Sequence, residues 1–233
     1  MRKNLFFLVF ILYTSISFGQ RHEVGLALGG SNYVGDIGSS TLIRPNAFAT
    51  GLLYKFNRNP RISYRASFTA MKIIANNSDS NNAIRQQFDT PVNKTITELT
   101  AGIDFNFLEY YISHWKRTKT PYLIFELAAF HYKKATGTAD NIEYKSQIGM
   151  ALPFGAGYKH QISDNLVLGV ELRVRYSFTD DLDDSQFYKN ETLQNHPENA
   201  KFGNPNTNDW YAFTGFTLTY SFGRPLHYTT RKH

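Results

Sequence analysis

The chain carries one dense cluster of residues that could do chemistry, in the segment FTDDLDDSQFYKN at residues 178–190. Its carboxylates belong to Asp180, Asp181, Asp183 and Asp184. Carboxylates this close together can bind Ca²⁺ or act as a general acid and base. A Ca²⁺ loop of the EF-hand type also requires a glycine and a more distant glutamate, which this segment does not supply. A Ca²⁺ site completed by other loops therefore stays open beside a simpler interpretation, a polar strand end whose Asp side chains form turns.

No other residues form a recognised catalytic or metal site. The 7 histidines are dispersed, and no pair of them has the helical spacing of a zinc site. The chain has no cysteine and no Gly-x-Ser-x-Gly nucleophile elbow, and GLALGG at residues 25–30 lacks the spacing of a nucleotide-binding loop. A barrel enzyme could be assembled only from His196 with Asp180 or Asp181. We therefore predict no catalytic residues, no bound metal and no cofactor.

The N-terminus predicts export from the cytoplasm. Residues 1–19 begin with the cations Arg2 and Lys3, continue with an apolar run from Leu5 to Tyr13, and end in small residues. This order is typical of a signal peptide cleaved after Gly19, and the apolar run is shorter than the about 18 residues that a membrane-spanning helix needs. We expect residues 20–222 to form one domain and residues 223–233 a C-terminal tail. The formal net charge of +6 is scattered along the chain and does not favour nucleic acid binding.

Apolar and polar residues alternate with a period of two in eight segments. The clearest are NLVLGVELRVRYSF at 165–178, DWYAFTGFTLTYSF at 209–222 and TELTAGIDFNF at 97–107. Weaker segments with the same period begin at His22, Ala47, Arg61, Tyr122 and Ile148. A period of two over such lengths predicts β-strands with one apolar face and one polar face.

The connections between these strands alternate between short and long. Short turns are expected at 57–60, 108–119 and 162–164, and long loops at 31–46, 75–94, 133–145 and 179–208. An even number of one-sided strands, with short turns at one end and long loops at the other, is typical of an outer-membrane barrel. Aromatic residues near the strand ends would form the girdles at the two membrane interfaces. The sequence thus predicts an all-β fold, an eight-stranded antiparallel transmembrane β-barrel of the outer membrane.

The alternative is a soluble lipocalin-like barrel or sandwich, whose apolar faces point inward. Charged residues within the strands favour the membrane barrel, because lipid would contact the uncharged face and opposite charges could pair in an interior just wide enough for side chains. A lumen filled in this way disfavours a passive pore. The predicted lumen charge network consists of Arg65, Glu98, Asp104, Glu126, Glu171, Arg173 and Arg175.

Three segments carry a resemblance to a known family: EVGLALGGSNYVGDIG, PFGAGYKHQISDNLVLGVELRVRYSFTDDLDDSQFY and DWYAFTGFTLTYSF. Together they resemble the PorG family, outer-membrane barrel components of the type IX secretion system, over about residues 23–222. The more specific part is Asn-Tyr-x-Gly-Asp after the first strand with Thr-Asp-x-Leu-Asp-Asp after the seventh. Asp181 departs from the pattern, because the family is expected to have an aromatic residue there. These signature residues at the barrel rim are Asn32, Tyr33, Gly35, Asp36, Thr179, Asp180, Leu182, Asp183 and Asp184.

The resemblance implies a non-enzymatic part of a protein secretion machine. Members of the family associate with a periplasmic ring, built from the lipoprotein PorK and its partner PorN, and help to hold it at the outer membrane. With both termini in the periplasm, the short turns would face the ring. Anchoring of the same aromatic and basic residues in lipid headgroups is an equally good interpretation of their composition. The expected contacts are Tyr110, Tyr111, His114, Trp115, Lys116 and Arg117 in the middle turn, with Arg224, Arg231 and Lys232 in the tail.

Two other functions remain open from the sequence. The first is a small surface adhesin that binds through the long outer loops, above all residues 179–208. The second is the barrel enzyme built on His196.

Overall fold

The computed structural model describes residues 22–34, 41, 43–76, 78, 92–112, 117–138, 141–179, 182 and 208–223. Each strand pairs antiparallel with the next, and β8 pairs with β1, so that the sheet closes into a barrel. The predicted eight-stranded all-β barrel is confirmed. The strands are β1 His22–Val34, β2 Ala47–Asn57, β3 Ile62–Ala75, β4 Val92–Asn106, β5 Lys119–Thr138, β6 Asn141–Gln161, β7 Leu166–Ser177 and β8 Trp210–Phe222.

The polarity of the barrel is inverted relative to that of a soluble protein. The outward positions of the strands carry large apolar side chains, such as Leu127 at 67% exposed and Leu99 at 61% exposed. The alternating inward positions carry charged side chains, and Arg173 and Glu171 are buried there. A soluble barrel would show the opposite arrangement, because its apolar face would be the one removed from water. The soluble alternative is therefore wrong, and the fold is that of a transmembrane barrel.

The two ends of the barrel differ, as predicted. One end, here called the turn end, carries the start of β1, the end of β8 and the connections β2–β3, β4–β5 and β6–β7. The opposite end is called the loop end. Aromatic side chains cluster at both: His22 lies against Phe222 and Phe56 at the turn end, with ring centroids 5.5 and 5.2 Å apart, and Tyr176 lies 5.0 Å from Trp210 at the loop end. No helix in the described ranges is long and apolar enough to cross a bilayer.

The predicted loop at 133–145 is wrong, because strands β5 and β6 continue through it. They stay paired from Lys133 with Ser146 to Thr138 with Asn141. Their pairing with the neighbouring strands stops earlier, at His131 with Thr97 on β4 and at Ala151 with Ser177 on β7. Residues 132–138 and 141–150 therefore form a two-stranded extension, the projecting hairpin, that reaches roughly 20 Å beyond its last pairing with β4 and β7 at about 3.3 Å per residue. The apolar alternation ends there because no lipid selects for it, while main-chain pairing continues.

Smaller differences concern other strand ends. Strand β1 extends to Val34 and β4 begins at Val92, so the loops predicted at 31–46 and 75–94 are shorter than expected. Regular main-chain pairing again runs past the point where the apolar pattern fades.

Glycine at position 102 allows two long side chains to meet inside the barrel. The inward row across β3, β4 and β5 consists of Arg65, Gly102 and Glu126. Because Gly102 has no side chain, the Arg65 guanidinium reaches across β4 and lies 3.2 Å from the Glu126 carboxylate. A Cβ at this position would overlap the Phe125 carbonyl oxygen on β5 and lie 2.6 Å from the Glu126 Cα.

We expect Gly102→Ala to lower the free energy of unfolding by about 1–3 kcal/mol, the usual effect of overpacking a closed interior. Urea unfolding of the refolded barrel in detergent, followed by the heat-modified mobility of the band on a gel, would measure it. The neighbouring Ala101→Val, which adds volume on the lipid side, serves as the control. Equal stability of the two variants would contradict the packing role of Gly102.

Candidate functional site

The lumen contains ten buried charged side chains, five basic and five acidic. All seven of the residues predicted for a lumen charge network are among them, and three further residues join them: Glu23, Lys55 and Lys159. The sequence contained a signal for these three, since each alternates with outward apolar or aromatic residues in a weaker strand, as Lys55 does between Tyr54 and Phe56. The seven predicted members are Arg65, Glu98, Asp104, Glu126, Glu171, Arg173 and Arg175.

Arg65 lies at the centre of this network and contacts three carboxylates from three strands. Its Nη1 donates to Asp104 Oδ1 at 2.9 Å, and its Nη2 donates to Glu171 Oε2 at 3.1 Å. Its Nε lies 3.2 Å from Glu126 Oε1. Lys55 Nζ completes the neutralisation of Asp104 at 2.9 Å from Oδ2. A planar guanidinium with several donors suits this position because it can pair with acceptors in different directions at once.

A second group of contacts fills the half of the lumen nearer the loop end. Arg175 Nε donates to both carboxylate oxygens of Glu98 at 3.0 Å, and the Tyr211 hydroxyl donates to Glu98 at 2.7 Å. Arg173 bridges the two groups, because it lies 3.4 Å from Glu126 and 3.3 Å from Glu171. The aromatic ring of Phe213 lies 4.8 Å from the Arg173 guanidinium carbon, which adds a cation–π contact.

These contacts leave the lumen carboxylates without the properties of catalytic acids or bases. Glu171 faces Arg65, Lys55 and Arg173 and also accepts a hydrogen bond of 2.6 Å from the Tyr122 hydroxyl. A carboxylate held by several cations in a closed interior is fixed in its ionised form and has no path to a substrate. The chemistry of this arrangement is structural, since it fills the lumen with paired charges.

At the turn end, the β4–β5 connection folds back over the lumen. Tyr110 and Ile112 are buried and form an apolar cluster with Val167 of β7. The Tyr110 amide donates to the Pro60 carbonyl at 3.1 Å, and its ring lies 3.9 Å from the Lys159 ammonium nitrogen. Burial, together with the neighbouring Glu23 carboxylate, raises the pKa of the Tyr110 phenol well above its ordinary value, so the residue stays neutral beneath the turn. The turn therefore covers this end of the barrel.

At the loop end, Asp209 holds two of the signature residues together. Its carboxylate accepts hydrogen bonds from the Tyr33 hydroxyl and from the Leu182 amide, the latter at 2.9 Å. Tyr33 and Leu182 are buried in the same apolar cluster as Phe130 and Tyr211. The sequence analysis did not predict a role for Asp209. Its position directly before the alternating pattern of β8 indicated only that it lies at a strand end. The end of β1 and Leu182, which follows β7, thus meet at one buried carboxylate at the loop end.

The other described signature residues lie around this point. Asn32 donates from its side chain to the Thr41 carbonyl at 3.1 Å, and the Thr179 carbonyl accepts from the Asp209 amide at 3.1 Å. No group of three or more metal-binding side chains occurs within the residues that the structure describes. Gly35, Asp36, Asp180, Asp183 and Asp184 lie outside the described residues, as do Asp181 and His196.

The structure separates the residues expected to contact a periplasmic partner. The prediction that Tyr110 contacts a partner is corrected, because its side chain is buried in the end of the barrel. Tyr111 is half-buried and donates a hydrogen bond to Glu109 at 3.2 Å. Arg117 is 46% exposed and pairs with Asp164 of the β6–β7 turn at 3.1 Å, which ties two neighbouring turns together. His114, Trp115, Lys116, Arg224, Arg231 and Lys232 lie outside the described part of the chain.

A closed barrel with an ionic interior and an apolar exterior defines the class of transmembrane β-barrel proteins. The chain belongs to the family described as Domain of unknown function (DUF6089), whose model matches residues 2–231. No curated protein matches it by sequence.

Several solved barrels are similar in structure. The N-terminal barrel domain of Pseudomonas aeruginosa OprF is 14% identical, covers 88% of this chain and 99% of its own, and gives a TM-score of 0.41. Neisserial surface protein A is 13% identical, covers 86% of this chain and 96% of its own, and gives a TM-score of 0.44. Yersinia pestis Ail, in complex with the heparin analogue sucrose octasulfate, is 16% identical, covers 86% of this chain and 96% of its own, and gives a TM-score of 0.43.

We expect Arg173→Leu to destabilise the barrel by about 3–5 kcal/mol, because it leaves Glu126 and Glu171 short of a buried counter-charge. Glu171→Leu should have an effect of similar size, because it removes one of the three carboxylates around Arg65. Thermal unfolding and heat-modified gel mobility would measure both. Arg117→Leu breaks an ion pair that is exposed and should cost less than about 1 kcal/mol. The prediction fails if the lumen variants are as stable as this control.

We expect Asp209→Ala to speed hydrogen exchange at the Leu182 amide by about tenfold or more, since a hydrogen bond to a charged acceptor is lost. Amide exchange measured by NMR in detergent micelles would test it. Asp164→Ala, which removes an exposed carboxylate at the turn end, is the control and should leave Leu182 unchanged. Unaltered exchange at Leu182 in Asp209→Ala would show that the carboxylate does not hold the loop end.

Proposed function

We propose that this barrel is a non-enzymatic outer-membrane component of the type IX protein secretion system. In this role it is exported by its signal peptide, binds the periplasmic ring of PorK and PorN, and helps to hold the ring at the outer membrane. The assignment to that system comes from the signature motifs in the sequence. The structural observation that supports a role in holding, as opposed to transport, is the lumen packed with buried ion pairs around Arg65.

A filled lumen limits what the barrel can do. An eight-stranded barrel has an interior just wide enough for side chains, and here it holds ten charged side chains, eight of which are joined by ion pairs. Opening a path would require separating buried ions, which costs several kcal/mol for each pair broken. The functional surfaces of such a barrel are therefore its two ends and its lipid-facing wall.

The turn end offers a fixed surface for a partner. Because Tyr110 and Ile112 anchor the β4–β5 turn in the barrel, Tyr111 between them is held without the entropy cost of ordering a free loop. Arg117 adds an exposed cation, held in place by Asp164. Both ends of the described chain, His22 and Gly223, lie at this end, which supports a periplasmic position for it, as expected for an exported barrel.

The projecting hairpin favours a second candidate function, binding of a ligand outside the cell. It extends beyond its neighbours at the loop end and carries Tyr144, which is 64% exposed, beside the exposed Glu143 and Lys145. An exposed aromatic residue among charged residues is typical of interaction surfaces. A surface adhesin would use this end and would leave secretion unaffected.

The test is affinity purification of the tagged full-length protein from detergent-extracted outer membrane at native expression, with mass spectrometry of the proteins retained. We expect wild type to retain PorK and PorN, and Tyr111→Ala with Arg117→Ala to retain about tenfold less, a loss of about 1.4 kcal/mol typical of an interface contact.

The matched control is Tyr144→Ala with Lys145→Ala, which removes an aromatic residue and a cation from the opposite end of the barrel. This variant should retain the ring as wild type does. Recovery of the barrel alone from wild type, under conditions in which the ring itself survives extraction, would overturn the proposal. Loss of surface binding only in the hairpin variant, with secretion intact, would favour the adhesin.

A further inference from the structure

Charge is distributed unevenly over the lipid-facing wall. Among the outward positions of the eight described strands there is no aspartate or glutamate, since the acidic residues of the strands alternate inward. The basic residues at outward positions lie near the strand ends. At the turn end they are His22, Lys119 and His160, and at the loop end they are Lys72, His131 and Lys133.

The three basic residues at the loop end lie on β3 and β5, the two strands on either side of β4. Lys72 of β3 is paired with Thr95 of β4, and Thr97 of β4 is paired with His131 of β5. Lys133 follows His131 by two residues and points to the same side. We call these five residues the loop-end basic patch. Lys72, Thr95, His131 and Lys133 are exposed, and Thr97 is half-buried.

On β3, β4 and β5 the patch begins beyond the last strongly exposed apolar residues, whereas on β6 the apolar wall continues to Ile148, which is 79% exposed and paired with His131. On the same three strands the last strongly exposed apolar residues are Phe68, Leu99 and Leu127, at 50%, 61% and 67% exposed. Toward the loop end each is followed by a small or polar outward residue and then by the patch. A change from apolar to basic side chains along a membrane strand marks the depth of the lipid headgroups, where phosphates lie.

The spacing of the patch suits one phosphate group. Neighbouring strands lie about 4.8 Å apart, so β3 and β5, on either side of β4, are roughly 10 Å apart at His131, the last β5 residue paired with β4. Lysine side chains of about 6 Å can therefore converge on an anion placed over Thr95 and Thr97, whose hydroxyls can donate to its oxygens. Phe68 and Leu99, which face each other across β3 and β4, lie directly below and would contact the acyl chains.

We propose that the loop-end basic patch binds the phosphate headgroup of an anionic membrane lipid, with Lys72 and Lys133 as its charged contacts and His131 as a hydrogen-bond donor. This inference requires that the barrel spans a membrane and does not depend on the secretion role. It gives the barrel a fixed lipid beside the base of the projecting hairpin, on the side of β5 that faces away from the lumen.

Native mass spectrometry of the full chain, released from detergent micelles that contain equal amounts of lipid A and phosphatidylcholine, tests the proposal. We expect wild type to retain lipid A in preference to phosphatidylcholine. Lys72→Gln with Lys133→Gln should weaken retention of lipid A by roughly thirtyfold, since each lysine near a membrane surface contributes about fivefold. Inorganic phosphate added at the same phosphate concentration should not displace the lipid, because it lacks acyl chains.

The matched control is Lys134→Gln with Lys145→Gln, a cross-strand pair on the other face of the projecting hairpin. It removes the same two charges and should retain lipid A as wild type does. Heat-modified gel mobility checks that both variants are folded. Equal loss in the two variants, displacement by inorganic phosphate, or equal retention of lipid A and phosphatidylcholine by wild type would each overturn the proposal.

Discussion

The contact of Arg65 with three carboxylates is the interaction on which the rest of this barrel depends. A closed sheet of eight strands leaves an interior that must be filled, and lipid on the outside excludes charge from the other face of every strand. The long charged side chains therefore lie inside, where each must find a partner. Arg65 of β3 joins Asp104, Glu126 and Glu171 from β4, β5 and β7, so one guanidinium connects β3 to β5 and β7, two strands with which β3 shares no main-chain hydrogen bonds. Gly102 is what leaves room for that reach.

At both ends of the lumen, buried side chains separate the charged interior from water. Tyr110 lies over Lys159 at the turn end, and Tyr33 and Leu182 meet at Asp209 at the loop end. These contacts anchor the described part of the β4–β5 connection at one end of the lumen, and Leu182 at the other. A barrel built in this way is a rigid body with two different faces, which suits a protein that holds others in place better than one that conducts.

The lipid-facing wall and the charged lumen both result from the alternation of apolar and polar residues along each strand. Every aspartate and glutamate of the described strands occupies an inward position. The lipid-facing wall therefore carries lysine and histidine but no carboxylate, and these basic residues lie toward its two ends, where lipid headgroups are anionic. The loop-end basic patch and the ion-pair network thus lie on opposite sides of the same three strands, with Thr95 and Thr97 facing lipid and Glu98 facing Arg175. The projecting hairpin rises beside this patch and is the largest departure from an idealised small barrel.

The sequence alone determined the number of strands, the inward-facing positions of Arg65, Glu98 and Arg173, and which connections lie at which end of the barrel, because a period of two is a local property that lipid enforces on each strand separately. It missed Lys55 and Lys159 because the pattern is weaker in their strands, and it missed the continuation of β5 and β6 because main-chain pairing beyond the bilayer leaves no apolar signature. Which carboxylate meets which cation, the burial of Tyr110, and the meeting of Tyr33 and Leu182 at Asp209 were decided only by tertiary structure. These contacts depend on the register of all eight strands and on closure of β1 against β8, and no single segment contains that information.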